Sequence, residues 1–422
     1  MSAPAQAARA PLRERCDELE RRYVSGTFAE LCRIESPSGS ERACAQRVIA
    51  ELRALGVRVH EDDAGPRAGS NCGNLLARIP ADAAADADAD ADAAKAAADA
   101  GSRRSVLLCA HLDTVPLDAP VEPVLVDGFW ENANDGVLGA DNKAAVAVLL
   151  ALARHVRAHG SPVDLELLFT VGEEVSLAGS RAFDASALRS DFGYVFDHAS
   201  PIGEIVTESP THFRVQASFR GAAAHAGIRP HEGRSAILAA ARAVASLTLG
   251  RHEDGSTVNV GTIAGGSAIN VVPEHCSLLM EARAMGDERA EALVGELVDR
   301  MHEAANLPDC DCDLDVEVQR TFSGFRLSEA SPAVRVAQAA LRACGHQPVS
   351  ISSGGASDAN ELLAQGVPTV NLANGTERNH EPGERVSVLA LEQMLDVALA
   401  LLDEAASDAA REAAGARPDA AR

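Results

Sequence analysis

The chain has 422 residues, 46% apolar and 24% charged. That is too apolar for a disordered polymer and long enough for two domains with buried cores. Its net charge of −24 repels phosphate backbones and anionic lipid, which argues against nucleic acid and membrane as partners. An odd number of cysteines, nine, with no Cys-x-x-Cys, points to free buried thiols in a reduced, cytoplasmic protein. The one close pair, Cys310 and Cys312, has no neighbouring partners for a thiolate zinc site. No apolar targeting core follows Met1, and no stretch approaches the ~18 apolar residues of a membrane-spanning helix.

Apolar spacing predicts helices over 12–33 and 40–55, separated by the turn Ser36-Pro37-Ser38-Gly39-Ser40. Buried strands are expected at 74–79 and 106–110. Between them, 81–104 is an Ala/Asp-rich insertion that cannot bury enough apolar area to order itself and reads as a flexible surface segment. Helix 142–158, strand 165–171, helix 178–187 and strand 193–196 follow. Apolar strands alternating with helices predict an α/β fold, a mostly parallel sheet flanked by helices, whose ligands gather beyond the carboxyl ends of the strands.

From about 211 the pattern changes to strand 213–219, helix 235–247, strands 257–264 and 276–284, helix 288–304 and strand 313–319. This βαββαβ order predicts an inserted α+β, ferredoxin-like domain over 211–321. The flanking parts, 1–210 and 322–422, would together form the domain into which it is inserted. Its second part carries helix 331–344, a Gly354-Gly355 turn, helix 358–364, strand 369–372 and helix 388–405. Residues beyond about 407 are polar, Ala-rich and expected to fray.

Chemistry-bearing residues cluster near the ends of the predicted strands. His111 and Asp113, two apart, point to one side of an extended segment. A metal-bound imidazole commonly gives its other N–H to such a carboxylate, although a purely structural His–Asp pair would look the same. Asp141 opens a helix and could offer one oxygen to each of two cations, or simply cap the helix. Glu173 and Glu174 follow a strand and point different ways. One can bind metal while the other stays free as a base, and an exposed acidic turn is the bland alternative. Asp197 ends the next strand, and His380 follows a polar loop. No Gly-x-Ser-x-Gly elbow supports a serine hydrolase.

These fragments stand in one order with Gly-Ala-Asp141-Asn142-Lys-Ala, Gly-Glu173-Glu174-Val-x-Leu-x-Gly, Gly-x-Ala-Ala-His225-Ala-Gly, Gly-Gly-Ser-Ala-Ile-Asn270-Val-Val-Pro, Ser-Gly-Gly355-Ala-Ser-Asp-Ala-Asn and Asn-His380-Glu. The set resembles the dizinc aminoacylase/carboxypeptidase family, and within it the peptidase T-like branch, over about residues 27–400. The resemblance implies a phosphorylase/hydrolase-like catalytic domain and an inserted lid or dimerisation domain. It implies two Zn2+ per subunit, with Co2+ or Mn2+ able to substitute. His111 and Asp197 would hold one ion, Glu174 and His380 the other, with Asp141 bridging the two and its peptide bond to Asn142 expected to be cis. Asp113 would orient His111. Glu173 would take the proton from the water shared by the metals. His225, Asn270, Arg283 and Gly355 would contact substrate, Arg283 through its planar fork. A short peptide substrate and a homodimer follow from the same resemblance. Aspartate rather than glutamate at 197 favours aminopeptidase or dipeptidase chemistry over deacylation of N-acyl amino acids. His198, beside Asp197, reads as a loop histidine, with an adventitious ligand or a substrate contact as the alternatives.

Overall fold

A computed structural model of the chain describes residues 16–81 and 103–415, so the Ala/Asp-rich insertion lies almost wholly outside the described residues. The chain divides into two compact units. One comprises residues up to Thr207 together with Leu327–Ser352 and Ser357 onward. The other comprises Glu208–Arg326 and Ser353–Ala356.

The first unit is an α/β sandwich. Its sheet runs Val59–Glu61, Leu75–Ile79, Asp164–Thr170, Ser105–His111, Phe192–His198, Thr369–Ala373, Glu204–Ser209. The four central strands, from Asp164–Thr170 to Thr369–Ala373, are mutually parallel. Outer strands pair antiparallel. Strand Ser105–His111 is buried along its whole length because both faces are covered. Leu108 and Ala110 join the core beneath helices Glu18–Cys32, Ala140–His159, Pro332–Ala343 and Val388–Gly415. Leu107 and Cys109 pack on the other face with Ala359 and Leu362 of helix Asp358–Ala364. That two-sided burial is why the parallel strands read as continuous apolar runs.

A small antiparallel sheet, in the order Thr376–Glu377, Arg385–Ser387, Phe129–Asn132, Pro123–Val126, stands beside the large one. The sequence reading missed it. Its hairpin closes on Asp127-Gly128, both in the left-handed region (φ 48° and 84°). That Asp-Gly pair between apolar stretches was the available signal. The sheet matters because it anchors both ends of the loop that carries Asn379, His380 and Glu384.

The second unit is an antiparallel sheet in the order Gly250–Arg251, Thr257–Gly265, His275–Ala284, Thr211–Arg220, Asp313–Phe322. Helices Ala236–Ser246 and Asp287–Ala305 cover one face. Strand Thr211–Arg220 alternates buried and exposed residues, as a sheet with one solvated face requires.

Two expectations need correction. The C-terminal segment does not fray at about 407, because the last helix continues to Gly415. Asp408 is buried, and its carboxylate meets Arg104 and Arg335, which also bind Glu412. These pairs fasten an Ala-rich stretch that has little apolar periodicity of its own. His198 is the last residue of its strand, not a loop residue, and it is half-buried. Burial holds its imidazole below the ordinary pKa.

None of the nine cysteines is in a disulfide, and eight are buried, with Cys344 partly exposed. Among the described residues no helix is long and apolar enough to cross a membrane.

Candidate metal centre

Because the central strands are parallel, their carboxyl ends share one edge of the sheet, and the chemistry-bearing residues converge there. His111 is the last residue of one strand, Asp197 the penultimate residue of its neighbour. Glu173 and Glu174 follow Thr170, and the loop bearing His380 follows Ala373. Helix Ala140–His159 begins at this edge, and the Asp141–Asn142 peptide bond is cis.

Two groups of ligand-type atoms are joined at Asp141, His111 with Asp141 and Asp197, and Asp141 with Glu174 and His380; a third, of His111, Glu173 and Glu174, overlaps both. Within each group they lie within 4.8 Å of one another. His111 Nε2 stands 3.1 Å from Asp141 Oδ1 and 3.4 Å from Asp197 Oδ1. On the other side, His380 Nε2 is 2.9 Å from Glu174 Oε1 and 3.3 Å from Asp141 Oδ2. Asp141 thus directs one carboxylate oxygen to each group.

Electrostatics fit a cationic occupant. Burial, and then the neighbouring Asp141, push the Asp197 carboxyl well above the carboxylate range. Glu173 is likewise raised well above its usual value, first by burial and then by Asp197. Hydrogen bonds to Asp141 and Glu174 lift His380 to about 10. Crowded carboxylates that repel one another, with imidazole nitrogens aimed among them, are what a pair of divalent cations relieves. Nitrogen and oxygen donors without sulfur suit zinc, cobalt or manganese.

The surroundings hold these groups in place. His111 Nδ1 lies 3.0 Å from the carbonyl oxygen of Asp113 and 3.4 Å from its carboxylate. With Nδ1 donating, Nε2 is left as the ligand nitrogen. The Asp113 carboxylate, fully buried, accepts from the backbone N–H of Glu173 (3.0 Å) and of Glu174 (3.2 Å) and from the Ser38 hydroxyl (2.7 Å). Asn371, one strand over, accepts from the Asp197 N–H at 3.0 Å.

Sequence reasoning missed two supports of Asp141. Buried Glu384 accepts from the backbone N–H of Leu138 (2.8 Å), Gly139 (2.7 Å) and Asp141 (2.9 Å). Asn379 donates its amide to Asp141 Oδ2 at 2.8 Å. Neither has a spacing signature, since both partners lie more than 230 residues away in the chain. The nearest signal was the polar Asn379-His380-Glu381 segment itself.

His225, Asn270, Arg283 and Gly355 all belong to the second unit. His225 bridges to Val271, and the Ala226 N–H reaches the Asn270 carbonyl, so the two segments that carry these substrate candidates lie side by side. Arg283 donates to the Gly354 carbonyl at 2.7 Å and to Glu281 Oε2 at 3.0 Å. The Ser209 hydroxyl donates to the Gly355 carbonyl at 2.9 Å. Cys312 Sγ points at the Cys310 carbonyl, 3.2 Å away.

The model of peptidase family M20/M25/M40 matches residues 107–404. The uncharacterized protein YqjE of Bacillus subtilis (strain 168) is 31% identical over 385 residues, 90% of this chain and 97% of its own. Among solved structures, aminopeptidase PepT from Bacillus cereus ATCC 10987 superposes with a TM-score of 0.80 at 32% identity, over 92% of this chain and 99% of that one. A tripeptidase from Staphylococcus aureus subsp. aureus Mu50 gives 0.83 at 29% identity, over the same shares.

Proposed function

The chain belongs to peptidase family M20/M25/M40, and on that premise we propose that it is a metal-dependent aminopeptidase that removes the N-terminal residue of short, tripeptide-like peptides. The observation carrying this reading is the pair of ligand groups joined at Asp141, with Glu173 beside them. The likeness to an aminopeptidase and a tripeptidase over nearly their full lengths supports the choice of substrate. Aspartate at 197 points the same way.

His111, Asp141 and Asp197 would hold one cation and Asp141, Glu174 and His380 the other, with zinc our choice on the donor set. Cations held by these residues would polarise the scissile carbonyl and raise the acidity of the attacking water. Glu173 takes the water's proton on its carboxylate and returns it to the departing amine. A free carboxylate suits this work only if its reach is set, and the Asp113 carboxylate sets it by clamping the Glu173 backbone. His225 supplies a donor to the developing oxyanion, Asn270 and Gly355 position the peptide, and Arg283 takes its far carboxylate. The working protein is a homodimer.

The test is hydrolysis of a tripeptide panel by metal-loaded protein, each peptide with a free and an N-acetylated amino terminus, with Glu173→Gln as control. Cleavage confined to the free-amine set and lost in the control supports the proposal. Cleavage of the acetylated set moves the assignment to N-acyl-amino-acid hydrolysis on the same site. No turnover of either set, with two metals bound, sinks the peptidase reading.

A further inference from the structure

A second cluster of metal-type side chains lies in the first unit and takes no part in the chemistry above. Asp17 caps helix Glu18–Cys32 through a reciprocal box. Its carboxylate accepts from the Glu20 N–H at 2.8 Å, and Glu20 Oε2 accepts from the Asp17 N–H at 3.0 Å. This box folds the Glu20 side chain back over the residue before the cap, Cys16. From helix Ala140–His159, His155 reaches the other Glu20 oxygen, with Nδ1 2.9 Å from Oε1. The sulfur of Cys16, a Glu20 oxygen and a His155 ring nitrogen lie within 4.8 Å of one another. Cys16 is buried, and only 17% of the Glu20 side chain and 10% of the His155 side chain is exposed.

We propose that Cys16, Glu20 and His155 form a separate binding site for a thiophilic divalent cation such as zinc, which fastens the N-terminal helix to helix Ala140–His159. Sulfur, imidazole nitrogen and carboxylate oxygen are zinc's usual ligands, with bonds of about 2.0–2.3 Å, and three protein ligands leave a fourth position for water. An ion pair between Glu20 and His155 would account for those two side chains alone. The Cys16 thiol also meets Glu20 through a side-chain hydrogen bond, so thiol and imidazole converge on one carboxylate. The surroundings are acidic, with Glu20 and Asp396 near Cys16 and Arg21 opposing them. In the metal-free protein burial and then Glu20 push the Cys16 thiol up to about 12, so it stands protonated. Binding forms one bond each to sulfur, nitrogen and oxygen. It releases the thiol proton, and any proton on His155, to solvent.

Thiolate coordination separates this site from the catalytic one. His111, Asp141, Glu174, Asp197 and His380 contain no sulfur, so only a cysteine site can give thiolate-to-cobalt charge-transfer absorption. The experiment titrates metal-stripped full-length protein with Co2+ and reads the near-ultraviolet spectrum. The expected result is a charge-transfer band in the intact protein that is lost in Cys16→Ser, strongly reduced in His155→Gln and retained in Cys344→Ser. Circular dichroism checks that each variant is folded, and the two independent ligand variants guard against one failing to fold. Zn2+ should displace the band and raise the unfolding midpoint of the intact protein by more than that of Cys16→Ser, which keeps the catalytic ligand groups. Absence of the band at saturating Co2+, or its full persistence in Cys16→Ser, overturns the site. Neither outcome depends on peptide hydrolysis, so failure here and failure of the peptidase reading are distinguishable.

Discussion

Asp113 is bonded at both ends to the site. Its carbonyl oxygen meets His111 Nδ1 at 3.0 Å, while its carboxylate takes the backbone N–H of Glu173 at 3.0 Å. One buried residue therefore sets the ring of a proposed ligand histidine and the position of the proposed base. The carboxylate, which the sequence reading assigned to His111, stands farther from that ring, at 3.4 Å, than from the glutamate turn.

Replacing Asp113 by Ala removes the acceptor of two backbone donors and leaves the carbonyl–imidazole contact possible. Activity should fall by roughly 10–100-fold, the usual cost of losing a group that orients a metal site. Ser38→Ala, which removes one donor to the same carboxylate, should cost less. Steady-state kinetics with metal content measured alongside checks both, and near wild-type kcat in Asp113→Ala would contradict the clamp.

Glu173→Gln keeps the shape of the side chain and abolishes its proton transfer. We expect kcat to drop by about 10²–10⁴-fold while both metals stay bound. Metal analysis of the purified variant separates this from loss of a ligand.

The two ligand groups make distinct predictions for stoichiometry. His380→Ala should leave the His111, Asp141 and Asp197 group and reduce binding from two catalytic ions to one. Asp141→Ala removes the shared residue and should weaken both. Chelation of the intact enzyme should abolish hydrolysis, and added Zn2+, Co2+ or Mn2+ should restore it.

Glu384 offers a test of a residue no motif announced. In Glu384→Ala three backbone N–H groups, of Leu138, Gly139 and Asp141, lose their acceptor. A buried polar group left unsatisfied costs about 1–3 kcal/mol. The denaturation midpoint should therefore fall, with the slope unchanged, and metal affinity should fall with it because the turn before Asp141 loosens. A variant as stable as the parent would show that water replaces the carboxylate at little cost.

Thiol chemistry is predicted by burial. Desolvation is the first cause that raises Cys16 to about 12 and Cys72 to about 11, and it places Cys109 well above the ordinary thiol. Reagents attack the thiolate, so a raised pKa leaves little reactive form at pH 8. Native metal-free protein should show one fast-reacting thiol, Cys344, and denatured protein all nine.

The α/β class and, apart from the two-residue strand Gly250–Arg251, the βαββαβ order of the second unit were legible because period-2 and period-3.6 apolar patterns survive in a single sequence. The C-terminal helix beyond 407 was not. Asp408 and Glu412 look solvated until Arg104 and Arg335, distant in the chain, are brought against them. The small sheet was legible in part, through Asp127-Gly128, but its strands are too short to show alternation.

By itself the sequence determined the inventory: which residues can ligate, which can take a proton, and that they stand near strand ends. Chain spacing sufficed there because a strand end and the loop after it are local features. Only the tertiary structure decided how these groups divide the work. It set Asp141 between two ligand groups, gave the Asp113 carboxylate to the Glu173 turn, brought Glu384 to the backbone before Asp141, and placed Cys16 and Glu20 beside His155. Each of these is a contact between segments far apart in sequence, and such contacts are chosen by how the layers pack, which no local pattern records.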